Sequence, residues 1–395
     1  VQYTSVTTSD ELEAYCRRLA SVSQIAFDTE FVAERSYRPQ LCLIQVAADG
    51  ELALIDAVGI DDLTPFWQAL LAPGREIVVH AGRGELEFCY RATGTLPDQV
   101  FDVQVAAGLV GIEYPVGYAN LITRLLGETP AKHETRTDWS RRPLSHRQIQ
   151  YALDDIRYLP PIREKLHARL IELGRLGWLE EEMAAWRGEL AWSLSSERWR
   201  RISGNAGLNG RALAVLRELW RWREGEAQRR DCPVRHVLRD DLLVELARRQ
   251  SADIKRIRAV RGMERRDLDR QLPKIAEAIR RGLAVAAEDL PGATRADVTP
   301  QLSVLGQFLF AVLGTICRQQ SLSPGLVGTP NDVRELIACR LGLSCGTRPP
   351  LLARGWRAEV VGSVFDELLH GRVAVRIGDP TSEAPLILES PGADP

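Results

Sequence analysis

Hydrophobic positions in the first hundred residues come in short runs rather than at helical spacing. Gln24 to Phe31 and Leu41 to Ala48 are apolar stretches. Glu51 to Ala57 alternates less clearly, and Glu76 to His80 holds the β-branched run Ile77-Val78-Val79. Each is bounded by polar, Gly or Pro residues and reads as a strand. Three in quick succession predict an antiparallel meander, and later strands interleaved with helical stretches favour an α/β core with a mixed sheet. After about Asp102 the pattern turns helical and stays so. Asn205 to Asn209, near two glycines, reads as a linker. Leu213, Leu216, Leu219, Trp220 and Trp222 then recur at helical spacing, within an all-α unit that runs to about Ala287. Glu288 to Thr299 reads as a second linker, helical spacing resumes to about residue 375, and the tail from Asp379 to Pro395 is expected to be frayed.

The length of 395 residues suits two or three domains at roughly 150 residues each. Hydrophobic content of 45% with 26% charged residues excludes a collagen, a mucin stalk and a wholly disordered chain. No apolar run reaches the roughly 18 residues of a membrane helix; Leu302 to Cys317 comes nearest and reads as a buried helix. The N-terminus lacks a basic segment followed by an apolar core, so no secretory signal is expected. Seven cysteines are scattered without a Cys-x-x-Cys, which points away from zinc or a redox pair and toward reduced thiols in a cytoplasm. The net charge of −2 hides an asymmetry: Ser195 to Arg281 holds 23 basic and 13 acidic residues, leaving 28 and 40 elsewhere. An acidic body with a basic middle segment suits a protein that holds a polyanion in one module and metal ions in another. An Arg-rich helical surface with no ligand fits the same numbers.

Three constellations carry candidate chemistry. In Phe27-Asp28-Thr29-Glu30-Phe31 the period of a strand puts Asp28 and Glu30 on one face. Two acids there repel each other, an expense that makes sense if divalent cations sit between them; a strand end frayed into solvent is the bland alternative. In His80-Ala81-Gly82-Arg83-Gly84-Glu85 a helix starting near Arg83 places Glu85 in its first turn, where the helix dipole favours an acid anyway. His80 by itself reads as a satisfied strand-end histidine, and Asp102 as a cap for the next helix. In Tyr151-Ala152-Leu153-Asp154-Asp155 Tyr151 and Asp155 share a helix face, so a phenol beside a metal-binding carboxylate can position a water. Asp154 and Tyr158 form a competing pair at the same spacing.

Together these segments resemble the DEDDy 3′–5′ exonuclease family, most closely the ribonuclease D type. The resemblance is carried by I-A-F-D-T-E-F at 25–31, S-Y-R-P-Q-L-C-L-I-Q-V at 36–46 and V-V-H-A-G-R-G-E-L-E at 78–87. It continues through V-F-D-V-Q-V-A-A at 100–107, D-W-S-R-R-P-L-S at 138–145 and Y-A-L-D-D-I-R-Y-L at 151–159. The basic unit, with L-R-E-L-W-R-W-R and R-A-V-R-G-M, resembles the HRDC module of ribonuclease D and RecQ-type helicases. The resemblance implies a ribonuclease H-like α/β exonuclease domain over 1–204, followed by all-α helical domains: an HRDC domain over 205–290, a second HRDC-like domain over 291–378, and a flexible tail over 379–395. It implies a 3′–5′ exoribonuclease that trims RNA 3′ ends, with tRNA precursors the family expectation, to nucleoside 5′-monophosphates. Asp28, Glu30, Glu85 and Asp155 would hold two divalent ions, Mg2+ or Mn2+, and Tyr151 would present the water. Glu85 departs from the family, whose usual residue there is aspartate. Arg35, Tyr37 and Arg83 flank the motifs as candidate substrate contacts. A cytoplasmic monomer with no membrane partner is expected. The competing readings are a nucleic-acid-binding protein that has lost catalysis, and an exonuclease acting on DNA.

Overall fold

The computed structural model describes residues 2–129, 137–292, 300–343 and 348–390. They fall into two compact units, one of Val1–Glu30, Leu43–Ala191 and Val298–Pro395, the other of Phe31–Cys42 and Trp192–Asp297. The first is built on six strands: β1 (Thr4–Val6), β2 (Gln24–Val32), β3 (Gln40–Ala48), β4 (Glu51–Asp56), β5 (Glu76–Val79) and β6 (Gln99–Asp102), in the spatial order β1-β4-β3-β2-β5-β6. β4 lies parallel to β1 and antiparallel to β3, while β5 lies parallel to both β2 and β6. The sheet is mixed, as the alternation of short apolar runs predicts. Its two edge strands, of three and four residues, are too short to show a period.

Helices α1 (Ser9–Leu19), α2 (Thr64–Leu70), α3 (Arg83–Thr93), α4 (Val103–Leu109), α5 (Tyr118–Leu126), α6 (His146–Arg157), α7 (Leu159–Glu172) and α8 (Leu176–Ser195) follow the strands. α1 starts at a capping box, in which the Thr8 hydroxyl accepts from the Glu11 amide. Phe27 in β2 meets Phe66 and Trp67 of α2 edge-on, with ring centroids 5.9 and 6.2 Å apart. α7 packs on β5 and α4, and α6 on β4, so the central strands are buried.

In the second unit, α9 (Gly210–Arg229), α10 (Val234–Val237), α11 (Asp240–Arg249), α12 (Ile254–Arg258), α13 (Arg266–Asp269) and α14 (Leu272–Leu283) close around Leu216, Leu219, Leu243, Met263, Ile275 and Ile279. The stretch read as a linker is part of this unit: Leu208 is buried in its core, and the Asn209 side chain caps α9 on the Ala212 amide at 2.9 Å. The β2–β3 connection also belongs here. The Tyr37 hydroxyl donates to Glu224 at 3.0 Å, and its amide to Asp231 at 3.1 Å.

The chain then returns to the first unit with α15 (Pro300–Gln319), α16 (Pro324–Val327), α17 (Pro330–Arg340), α18 (Gly355–Arg357) and α19 (Ser363–Leu369). Arg175 donates to the carbonyls of Leu109 at 2.7 Å and Ser321 at 2.9 Å. Trp178 stacks on Trp356 at 5.2 Å, and Arg357 pairs with Glu182. These helices cluster with the sheet in the first unit. α15 is long and apolar enough to cross a membrane by length and composition alone. Here Leu309, Val312, Leu313 and Ile316 are buried and α17 packs on it, so it serves as a core helix. Two expectations change. Within the tail, Leu386–Glu389 pairs antiparallel with Ala374–Ile377, because Leu386 to Leu388 supply enough apolar residues for a hairpin. Cys339 is disulfide-bonded, so the thiols are not all reduced. Most of the second linker, and the tip of the tail, lie outside the described residues.

A Cβ on Gly282 of α14 would lie 2.4 Å from the Val215 Cα of α9, so these helices meet backbone to backbone. Gly282→Ala is expected to force them apart at a cost of about 1–3 kcal/mol. Urea unfolding followed by helical ellipticity measures this, and an unchanged midpoint would contradict so close a crossing.

Candidate active site

β2 delivers Asp28 and Glu30, both partly exposed, with Thr29 buried between them. The strand ends β5 and β6 deliver the next group. After Val79 the chain turns through Ala81 at a φ of 53°, a left-handed conformation that a side chain rarely adopts. At Gly82 a Cβ would sit 2.4 Å from the Val79 side chain, so only glycine fits. Asp102 holds this turn. Its carboxylate accepts from the amides of Ala81 at 3.1 Å and Gly82 at 3.0 Å, while it caps α4 on the Gln104 amide at 2.8 Å. The cap was legible from sequence, but the grip on the turn was not. With the turn fixed, α3 starts at Arg83 and Glu85 is buried in its first turn, accepting from the Thr29 hydroxyl at 3.0 Å.

α6 supplies the third group, entered through the Ser145–Gln148 capping box. Its two competing pairs separate cleanly. Asp154 is neutralised by Arg157 at 3.2 Å and accepts from Gln150 at 2.8 Å, and the Tyr158 hydroxyl accepts from the same Arg157. Asp155 has no basic partner among the described residues, and the Tyr151 hydroxyl donates to it.

The structure therefore brings Asp28, Glu30, Glu85, Asp155 and Tyr151 to one place, and their electrostatics show how closely they crowd. Burial, then the charge of Asp155, pushes Asp28 up to about 7. Glu30 is pushed up to about 8 by burial and then by Asp28 and Glu85. Burial and Asp28 raise Glu85 to about 8, and burial and Glu30 raise Asp155 to about 8. Among the described residues no Arg, Lys or His forms an ion pair with any of the four. Uncompensated acids of this kind suit hard divalent cations. The carboxylates are not drawn onto one point: among the described residues no three His, Cys, Asp or Glu side chains form a ready-made cage.

Several surrounding residues escaped the sequence. Trp139 is buried with its ring 6.0 Å from that of Tyr151. Its carbonyl accepts from Arg142 at 2.8 Å, and Arg142 forks onto both oxygens of Asp56 at 2.6 Å. The D-W-S-R-R-P segment thus acts as a strut behind Tyr151. Tyr118, at the start of α5, packs its ring 5.3 Å from His80. Its hydroxyl is buried, and burial, then the charges of Asp155 and Asp28, hold the phenol proton on firmly. The only hint of it was a tyrosine after Pro115, Val116 and Gly117. His80 is satisfied by the Val116 carbonyl at 2.9 Å and is no ligand.

Comparison with known proteins places these features in a family. A 3′–5′ exonuclease family model matches residues 3–171, and an HRDC domain model matches residues 212–279. The chain is 35% identical over 386 residues to ribonuclease D of Jannaschia sp., covering 94% of this chain and 96% of that one. It is also 35% identical over 377 residues to ribonuclease D of Gluconacetobacter diazotrophicus, covering 94% of each. The crystal structure of Escherichia coli RNase D, an exoribonuclease involved in structured RNA processing, matches with a TM-score of 0.80 at 29% identity, over 94% of this chain and 99% of that one. The likeness runs from the first strand through the last helices, and the chain belongs to the ribonuclease D family of 3′–5′ exoribonucleases.

Proposed function

We propose that this exoribonuclease trims the 3′ ends of structured RNA, tRNA precursors among them, to nucleoside 5′-monophosphates, as a monomer in the cytoplasm. Asp28, Glu30, Glu85 and Asp155 would hold two divalent ions, Mg2+ or Mn2+. The observation that carries this reading is the set of four crowded acids with no ion-paired cation among the described residues. Bound there, divalent ions supply an activated water and charge stabilisation at the leaving 3′ oxygen. The chain's own groups do the rest. Tyr151 is held well above the ordinary phenol range by burial and then by Asp155, so it stays protonated: its one O–H goes to Asp155, and its oxygen accepts from the water and orients it rather than acting as a base. Asp155 receives the Tyr151 proton in a hydrogen bond, and Trp139 fixes the ring. Thr29 holds one Glu85 oxygen, which limits where the longer side chain can reach. The HRDC domain, within 205–290, would hold the body of the RNA, and the helices from α15 onward would be a second, diverged HRDC-like element.

Release of mononucleotides from matched 3′-hydroxyl RNA and DNA oligonucleotides, with Mg2+ and Mn2+ compared, tests the substrate and the metal together. Asp28→Ala or Asp155→Ala is expected to lower turnover on the order of 10³-fold while leaving the fold intact. Near-parental turnover at saturating metal would remove these residues from the site.

Glu85 separates charge from packing. Glu85→Asp restores the family's residue and should keep or raise activity. Glu85→Gln keeps the shape but loses the charge, so it should lower turnover sharply and raise the Mn2+ needed for half-maximal rate. Were Glu85 only a first-turn helix acid, Glu85→Gln would cost about 0.3–1 kcal/mol of stability and spare turnover.

The raised carboxyls also set a pH dependence. Folding lifts them from ordinary values of about 4 to about 7 for Asp28 and about 8 for Glu30, Glu85 and Asp155. Their contribution to stability is full below the unfolded values and is lost as pH rises through the folded ones. In chelator, the thermal midpoint of the protein should therefore fall between about pH 5 and pH 8. Added Mn2+ should restore more of it at the higher pH. A shallower fall in Asp28→Asn than in the parent assigns the slope to this cluster; equal slopes would refute it.

A further inference from the structure

Much of the positive charge in the second unit is already neutralised within it. Arg221 pairs with Glu197 and Glu218, and Arg229 with Glu226. Arg249 pairs with Glu245, Arg258 with Asp269, Arg265 with Asp267, and Arg281 with Glu218. Arginines fixed to carboxylates at these distances are poor phosphate ligands, because a phosphate must first displace the acid. The excess of basic residues therefore says little about where a polyanion would lie. What counts is the charge left unpaired, and its placement is uneven.

One stretch stands apart. Ile257 and Val260 are 1% and 2% exposed and anchor α12 and its following turn in the core of the unit. That anchoring turns Lys255, Arg256 and Arg261 outward, and all three are exposed without an ion pair among the described residues. Arg270 joins them. It follows Asp269, which Arg258 ties to α12 at 2.7 Å, and it too is exposed and unpaired. The nearest acids, Asp253 and Glu264, feel the charge of Lys255, Arg256 and Arg261 but form no ion pair with them among the described residues. Asp253 caps α12 on the amides of Lys255 and Arg256, and Glu264 accepts from the Gly262 amide. Elsewhere in the unit Arg211 is fixed to backbone carbonyls, while Arg201, Arg230 and Arg235 sit on separate segments.

We propose that Lys255, Arg256, Arg261 and Arg270 form the surface through which the HRDC unit grips the phosphate backbone of RNA. The proposal rests on reading that unit as the RNA-holding module and adds which of its charges do the holding. Four outward cations, three on α12 and the turn after it and one at the end of α13, which Arg258–Asp269 ties to α12, can meet successive phosphates, giving grip without base specificity.

The test is equilibrium binding by the full-length chain of a structured, tRNA-sized RNA and a matched DNA hairpin, over a salt series. The variant replaces Lys255, Arg256, Arg261 and Arg270 with Gln; a control replaces Arg248 and Arg249, both held by Glu245, with Gln. Helical ellipticity verifies that both are folded. The fourfold variant is expected to bind RNA at least tenfold more weakly near 0.1 M salt. Its log K against log salt slope should be shallower by about 3, since each lost phosphate contact removes about 0.7–0.9. The control should match the parent. Equal affinity and slope in the fourfold variant and the parent, an equal loss in the control, or a loss confined to DNA would overturn the surface. A parent that binds no RNA at all would instead refute the RNA-holding reading of the whole unit.

Discussion

Four carboxyl groups that repel one another are held together with no ion-paired counter-charge among the described residues, and much of the first unit exists to keep them there. An isolated acid of this kind would relax into solvent. Here β2 fixes two of them, the start of α3 fixes a third and α6 the fourth, each on an element whose own packing is settled elsewhere. Phe27 between Phe66 and Trp67 anchors the strand directly before Asp28. The stability forgone through repulsion is what gives the site its appetite for cations, so catalytic competence and metal-free stability pull in opposite directions.

The supports around the site are themselves charged, yet each is paired. Asp102 has three backbone amides, Asp56 has the Arg142 fork, and Asp154 has Arg157. Acids held by an arginine or by several backbone amides serve the scaffold, and the four without such partners among the described residues form the candidate site. That difference also explains why Asp154 and Asp155, neighbours on one helix, have different fates.

The central strands, the start of α3 and the two-residue spacing of Asp28 and Glu30 were legible in the sequence because each depends on local periodicity. The choice between Asp155 and Asp154 was not, since a spacing of four residues offers two equal pairs and only the position of Arg157 separates them. Trp139, Thr29 and Tyr118 were hidden for a related reason: what they do depends on which side chain faces them across the fold. The short edge strands and the hairpin formed by Leu386–Glu389 lay below the length at which a pattern can be seen. Placement of the last helices beside the sheet rests on contacts such as Arg175 with Ser321 and Glu182 with Arg357, which no local pattern encodes.

Those last contacts bear on how the protein is made. Arg175 and Glu182 emerge from the ribosome well before Ser321 and Arg357, their partners some 146 and 175 residues later. The sheet and its early helices must therefore wait, with the α4 and α8 surfaces uncovered, while the second unit is synthesised. That unit draws almost all its contacts from one continuous segment, so it can fold as soon as it emerges. The nuclease unit, though first in sequence, is the last to be finished, and during that interval its apolar surface is open to chaperones or to neighbouring chains.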